Sequence, residues 1–426
     1  MPRITPVRGT RDFFPQDMAF RTWLYQHIRA VSEGHGYQEY EAPFLERLEL
    51  YAAKSGEELV KEQSFVFPDR GGEMVALRPE LTPSLARMVA TRSKAMQRPI
   101  RWWSFGPFWR YEKPQKGRTR EFFQWNIDLL GVETPQADAE LAGIAATFFQ
   151  SIGLPPATLR ILVNSRKLIE AQLDQAGIPP DQHLAIFRLI DRKDRLSAQD
   201  WKAEALDFGL TPDQLRSIQG MIEDREAWRQ SQDLVIFFET IQAMGLSDYF
   251  EFDPTIVRGL DYYTGIVFEA RDAAGKFRAI LGGGRYDDLV ADVGGDPIPG
   301  TGFAMGDVVL KLVLEAYDAL PTLRTNPANV MVTTFDQESL PESLRYAQEL
   351  RAAGLQTEWY PEPVRLSKQL KFADHQGIPI VTVLGPDEIQ AGKVTIKDMA
   401  TGKQLTLARE QSIQHITKLL SSTDRP

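Results

Sequence analysis

The sequence predicts an α+β protein: a core of antiparallel sheet flanked by helices, a helical insertion within that core, and a separate C-terminal α/β unit. Three patterns carry this expectation. Between residues 65 and 131, short strand-like runs alternate with turns, as in an antiparallel sheet. From about Ser165 to Met244 the chain is helical in pattern and poor in strands. After the linker PTLRTNPA (321–328), strand-like and helix-like segments alternate, which is the order of a small βαβαβ domain with a parallel or mixed sheet.

The elements follow in order along the chain. Apolar positions Phe20, Leu24, Ile28 and Val31 recur at helical spacing, which predicts a helix from Asp17 to Gly34, followed by the extended GYQEYEAPFLE (36–46). The runs FVFPDRGGEMVALRP (65–79), IRWWSFGPFWRYEK (100–113) and EFFQWNIDLLG (121–131) read as strands with their turns. ADAELAGIAATFFQSIG (137–153) returns to helix, and the helical stretch after it is punctuated by PPD (179–181) and TPD (211–213) as helix starts. Strands resume in VRGLDYYTGIVFEAR (257–271) and FRAILGGGRYDDLV (277–290), and the glycine-rich 294–307 leads into a last core helix, 308–320. The expected domains are a catalytic core in two parts, 1–164 and 245–322, a helical insertion, 165–244, and a C-terminal domain, 326–426.

Composition excludes several chemistries. The absence of cysteine removes disulfides, thiolate metal sites and cysteine nucleophiles. The five histidines, His27, His35, His183, His375 and His415, have no ligand spacing. No segment has the length and apolarity of a membrane span, and the N-terminal MPRITPVRGTRDFFPQD lacks the apolar stretch of a signal peptide, so a cytosolic protein is expected. A net charge of −9 argues against indiscriminate nucleic-acid coating but permits a focused basic site.

One such site is RYEKPQKGRTREFFQ (110–124), with five cations in fifteen residues. Arg110, Arg118 and Arg120 on and beside a glycine-tipped loop present guanidinium forks suited to phosphate oxygens. A solvated hairpin face is the plainer reading. The aromatics Phe122, Phe123 and Trp125, on the same strand, add a flat surface for a base and favour a nucleotide.

The whole segment FWRYEKPQKGRTREFFQWNIDLLG (108–131) resembles the second signature motif of class II aminoacyl-tRNA synthetases, in the form carried by histidyl-tRNA synthetases. VRGTRDFFP (7–15), LRPELT (77–82), VRGLDYYTGIVFE (257–269) and LGGGRYDDLV (281–290) resemble further blocks of that family in the same order. The C-terminal domain resembles its anticodon-binding domain.

The resemblance implies a class II core that joins histidine to AMP, with ATP as substrate and Mg2+ carried on its phosphates, and then transfers the histidyl group to the 3′ end of tRNA(His). It implies Arg110 on the α-phosphate, with Arg258 as a second catalytic arginine, Arg118 on the far phosphates, Glu112 on the adenine amino group and Phe122 stacked on the adenine. It assigns Glu80, Thr82 and Gln124, with Arg110 and Arg258, to the ammonium and backbone end of histidine, and Asp128, Tyr262 and Tyr263 to the imidazole. Lys113 and Gln115, at a loop tip projecting from the ATP pocket, are assigned to the tRNA acceptor end. GYQEYEAPFLE would pair two chains into a homodimer.

Other readings of these residues stay open on sequence alone. Tyr262 and Tyr263 lie in a strand-like run where aromatics are often core, and Glu80 beside Pro79 suits a helix cap. GGGR (282–285) and GTGFAMG (300–306) invite a dinucleotide-fold reading, but neither sits between strand and helix of a βαβ unit. The resemblance makes them tight turns and close backbone approaches. One departure stands out: where the third motif carries Glu-Arg-Leu, this chain has GDVVL (306–310), so Val308 and Val309 stand in place of the glutamate and arginine. Valine cannot neutralise phosphate, which raises a second function, a histidine- or RNA-binding regulator built on the same scaffold. The retained Arg110, Gln124, Asp128 and Arg258 favour the enzyme.

Overall fold

The structure, a computed structural model, describes residues 4–52, 63–193, 196–257 and 262–421. The chain divides into two compact units, Met1–Asp12 with Trp23–Pro321, and Phe13–Thr22 with Thr322–Pro426.

In chain order the strands of the first unit are β1 (Gln38–Glu39), β2 (Leu45–Arg47), β3 (Phe65–Pro68), β4 (Met74–Leu77), β5 (Ile100–Trp109), β6 (Glu121–Leu130), β7 (Leu159–Ser165), β8 (Phe250–Phe252), β9 (Ile266–Asp272), β10 (Leu281–Tyr286) and β11 (Gly300–Gly306). Eight of them form one sheet in the order β1-β5-β6-β11-β10-β9-β7-β8, and β2-β4-β3 form a second, small one. In the large sheet the edge pairings β1–β5 and β7–β8 are parallel and the interior is antiparallel.

Strand side chains alternate between faces, and here the two faces have opposite characters. Trp125, Ile127, Phe268, Phe303 and Met305 are buried on one, where Trp125 meets Phe148 of the helix Pro135–Ser151 at 5.1 Å between ring centroids. Each fully buried aromatic of this kind contributes about 1.5–3 kcal/mol. The opposite face carries Phe122, Gln124, Asn126 and Asp128 of β6, flanked in register by Gly302, Ala304 and Gly306 of β11. Gly282 and Gly284 continue that row on β10. Strand-forming alternation thus buries one face, while glycine strips side chains from the other.

The helices Arg166–Gln175, Pro180–Asp191, Ala198–Asp207 and Pro212–Glu223 bury their own cluster, including Leu173, Ile186, Trp201 and Ile218. TPD starts a helix as expected: Thr211 accepts from the Gln214 amide, and the Gln214 side chain accepts from the Thr211 amide, closing a capping box. The helix Gln232–Ala243 packs instead on Pro135–Ser151.

In the second unit the strands are β12 (Val330–Val332), β13 (Thr357–Trp359), β14 (Ile380–Val383), β15 (Lys393–Asp398) and β16 (Gln404–Ala408), ordered β13-β12-β14-β15-β16. The β13–β12–β14 pairings are parallel and the rest antiparallel, so the sheet is mixed.

The structure adds two elements to the expected pattern and corrects one expectation. The run LRILVNS (159–165), to which the sequence pattern assigns no element, forms β7; Leu159, Ile161 and Val163 alternate and are fully buried. Within the expected C-terminal domain, the βαβαβ run is extended by the β15–β16 hairpin and the helix Arg409–Ser421. GGGR and GTGFAMG are strand residues and not turns, and their glycines serve close approach.

Candidate active site

A cavity of about 500 Å³ opens on the glycine-floored face of the large sheet. Arg110, Glu112, Arg118 and Phe122 all line it, so the four residues expected to hold a nucleotide are brought together. The Arg110 guanidinium is fixed from two sides: its Nε donates to the Pro79 carbonyl at 2.9 Å, and its Cζ sits 5.3 Å from the Phe122 ring centroid. Phe122 in turn stacks on Phe108 at 5.9 Å. Arg118 pairs with Glu112 at 2.9 Å. Arg120 departs from the expectation that the three arginines converge. Its guanidinium stacks on Tyr111 at 4.0 Å, and its backbone amide donates to the Gly9 carbonyl, so it braces the hairpin's base.

The sequence reading quoted VRGTRDFFP without giving its side chains work. Arg11 of that segment donates to Asp307 at 2.9 Å, and the other Asp307 oxygen accepts from the Phe123 amide at 2.9 Å. Asp307 opens the helix Asp307–Ala316 and is buried, which raises its carboxyl above the ordinary value against the pull of Arg11. The N-terminal segment, β6 and the Asp307 helix are locked together behind the cavity.

At the other end of the β6 row lies Asp128. It is 4% exposed and accepts a hydrogen bond from the Tyr286 hydroxyl. Burial pushes its carboxyl up to about 7, the Tyr286 hydrogen bond pulling the other way. Tyr286 belongs to β10, two strands away, and reaches Asp128 because β11 is bare where it crosses. A Cβ on Gly300 would lie 2.6 Å from Cε2 of Tyr286, and one on Gly302 would lie 2.1 Å from the Asp128 carboxylate. Tyr262 meets Tyr286 edge-on at 6.1 Å and Tyr263 at 4.9 Å. Both tyrosines precede β9 and are not on a strand; Tyr263 is buried and Tyr262 half-buried. Tyr286 was not singled out in the sequence, though it stands in the quoted LGGGRYDDLV.

Glu80 is buried beside the Pro79 carbonyl that anchors Arg110. It does not cap the helix Thr82–Arg92, whose N-cap is Leu81 with no side-chain hydrogen bond. Thr82 is the first residue of that helix, and Gln124 lies between Phe122 and Asp128 on their face, paired across to Gly106 and Gly306. Arg258 lies outside the described residues. Lys113 and Gln115 are exposed; the Gln115 amide and carbonyl pair with Arg118 across the turn. The tip does not wholly project away, because the Lys116 ammonium lies 5.6 Å from the centroid of Phe277, a cavity residue.

A nucleotide-sized, arginine-bearing cavity with a stacking phenylalanine and a polar pocket, both set on one strand of a largely antiparallel sheet, defines the catalytic core of a class II aminoacyl-tRNA synthetase. The histidyl-tRNA synthetase family model matches residues 9–307, and an anticodon binding domain model matches 329–419. The chain belongs to the histidyl-tRNA synthetase family. It is 36% identical over 431 residues to a histidine–tRNA ligase of Leptospira biflexa, covering 97% of each chain. It is 34% identical to one of Thermococcus kodakarensis, covering 99% of this chain and 100% of that one. Among solved structures it superposes on a histidyl-tRNA synthetase from Nostoc with a TM-score of 0.84 and 26% identity, over 98% of this chain and 100% of that one. A Bacillus halodurans chain described as an ATP phosphoribosyltransferase regulatory subunit/histidyl-tRNA synthetase shares the fold alone, at 22% identity and a TM-score of 0.73.

Proposed function

We propose that the protein is a histidine–tRNA ligase. It activates histidine with ATP and passes the histidyl group to the 3′ end of tRNA(His). The observation that carries this reading is the β6 row, on which Phe122, Gln124 and Asp128 share one face. A nucleotide end and an amino-acid end are thereby held in line on one rigid strand.

In the first step a histidine carboxylate oxygen bonds to the α-phosphorus, the bond to the β-phosphate bridge breaks, and pyrophosphate leaves. Two anions meet, so fixed cations must offset the charge that develops. Arg110, held by Pro79 and Phe122, would meet the α-phosphate, with Arg258 as its partner in this reading. Arg118 serves the outer phosphates, Glu112 the adenine amino group and Phe122 the adenine face. Glu80, Thr82 and Gln124 take the ammonium end. Asp128, oriented by Tyr286, would accept a hydrogen bond from an imidazole N–H, with Tyr262 and Tyr263 closing round the ring. A site whose buried groups need an imidazole to complete their hydrogen bonds rejects other side chains by on the order of 10⁴-fold.

Magnesium would enter carried on the ATP phosphates and would offset part of their charge. Among the described residues no group of three or more His, Cys, Asp or Glu side chains is placed to hold a metal by itself, and Glu112 and Glu269 in the cavity are each engaged by an arginine.

In the second step the 3′-terminal ribose hydroxyl attacks the histidyl carbonyl and AMP leaves. Exposed Lys113 and Gln115 would then meet the acceptor end of tRNA(His), and the C-terminal unit its anticodon. A homodimer fits the exposed apolar side chains on and beside the small sheet, Phe44, Leu45, Phe67 and Met74, which a second chain would cover. A cytoplasmic location accords with the absence, among the described residues, of any helix long and apolar enough to cross a membrane.

Histidine-dependent exchange between ATP and pyrophosphate, followed by histidylation of tRNA(His), tests the reading. Exchange that requires histidine supports it. Histidine binding without any exchange would make the protein a regulator instead.

A further inference from the structure

We propose that Arg278, on the β9–β10 hairpin, binds the β- and γ-phosphates of ATP and supplies the cation that Val309 cannot. This rests on the ligase reading and names a further residue of the same site.

The charge balance of the cavity singles Arg278 out. Four arginines line it, Arg110, Arg118, Arg271 and Arg278. Arg118 is paired with Glu112 at 2.9 Å and Arg271 with Glu269 at 2.5 Å. Arg110 and Arg278 have no carboxylate partner among the described residues. ATP with its triphosphate tail brings about four negative charges into this space, and Arg110 at the α-phosphate together with Arg118, whose charge Glu112 already offsets, leaves most of the tail's charge uncompensated.

The hairpin holds Arg278 at the cavity's mouth. The Asp272 carboxylate, 3% exposed, accepts from the amides of Lys276 and Phe277, both at 2.9 Å. On the other side of Arg278, the Ile280 amide donates to the Ala270 carbonyl at 2.8 Å. The backbone is thus pinned both before and after Arg278, while its side chain is left exposed.

The loop tip connects this hairpin to the valines. Lys116 lies over Phe277, the residue before Arg278. Gly117 next to it faces the Asp307 helix, where a Cβ on it would lie 3.7 Å from Cγ2 of Val309 and 3.9 Å from Cδ1 of Leu312. Val309 and the Phe277–Arg278 pair therefore flank one loop tip. The helix side offers the tail only an aliphatic wall, and the hairpin side offers a preorganised fork.

The test uses the full chain, with Mg·ATP, pyrophosphate, AMP and histidine each titrated by calorimetry onto wild type, Arg278→Ala and the double variant Arg278→Ala/Val309→Arg. Loss of a charge-assisted contact predicts that Arg278→Ala weakens ATP and pyrophosphate about 10- to 100-fold. AMP and histidine affinities and the melting temperature should stay at wild-type values. Restoring an arginine at 309 should recover at least part of the ATP affinity. ATP binding within twofold of wild type in Arg278→Ala would overturn the proposal, and so would an equal loss for AMP, which would put Arg278 on the base. If wild type binds Mg·ATP but shows no histidine-dependent exchange, the ligase reading fails while the role of Arg278 in ATP binding is still decided by the titrations.

Discussion

Replacing Asp128 with Asn should make the unliganded protein more stable at alkaline pH and nearly blind to histidine. Asp128 is 4% exposed, and burial raises its carboxyl from 3.8 to about 7. A carboxyl whose value is raised by folding holds its proton in the native state after the unfolded chain has lost it. Its native contribution is therefore complete at low pH and is lost as pH rises from 3.8 through about 7. At about 1.36 kcal/mol per pH unit, the native state loses about 2 kcal/mol relative to the unfolded chain at pH 5, where only the unfolded chain ionises, and about 4 kcal/mol at pH 8. Asn has the same shape and never ionises, so urea denaturation should show wild type losing about 2–3 kcal/mol relative to Asp128→Asn between those two values. Other buried carboxyls, such as Asp138, cancel in that difference. Calorimetry on the same variant should show histidine affinity reduced at least about tenfold with ATP little changed, because an amide cannot supply the charge that an imidazole N–H meets. A stability difference that is flat with pH would mean that Asp128 is not ionising in a buried site. Unchanged histidine affinity would move the amino-acid pocket elsewhere.

Gly302→Ala should weaken histidine more than ATP, since the new methyl would sit 2.1 Å from the Asp128 carboxylate and must displace it; stability should fall by about 1–3 kcal/mol, and equal loss of both ligands would refute the local account. Arg285→Met should cost about 3–5 kcal/mol in denaturation experiments, because it abandons the buried Asp138 carboxylate and the Val132 and Thr134 carbonyls that Arg285 now satisfies. A melting temperature close to wild type would show that the site relaxes without it. Gln115→Ala should leave pyrophosphate exchange intact and slow histidyl transfer by about tenfold, with the loss disappearing on a tRNA trimmed of its 5′-terminal nucleotide. Equal transfer rates on both tRNAs would return the loop tip to a solvated hairpin.

What the sequence could and could not disclose follows from where each contact originates. Phe122, Gln124 and Asp128 were assigned through the family resemblance, and a strand's period of two explains why they share one face of a single segment; the antiparallel core was legible from strand-like runs alternating with turns. The strand β7 carried that signal too, in Leu159, Ile161 and Val163, and was passed over because a helical stretch begins directly after it. Tyr286 was not legible as a partner of Asp128. Their contact depends on β10 and β6 being separated by β11, and on Gly300 and Gly302 being bare where the ring and the carboxylate cross. Local pattern reports the glycines but not which strands they separate, and the resemblance offered tight turns beside close approaches for them. Arg278 was hidden for the same reason: in the sequence it is an unremarkable cation in a turn, and only the fold sets it across the loop tip from Val309. The departure at Val309 was visible as a missing charge, and a missing charge in one segment can be supplied by any segment the sheet brings to the same cavity. Its replacement therefore has to be sought among side chains that share the space, whatever their distance along the chain.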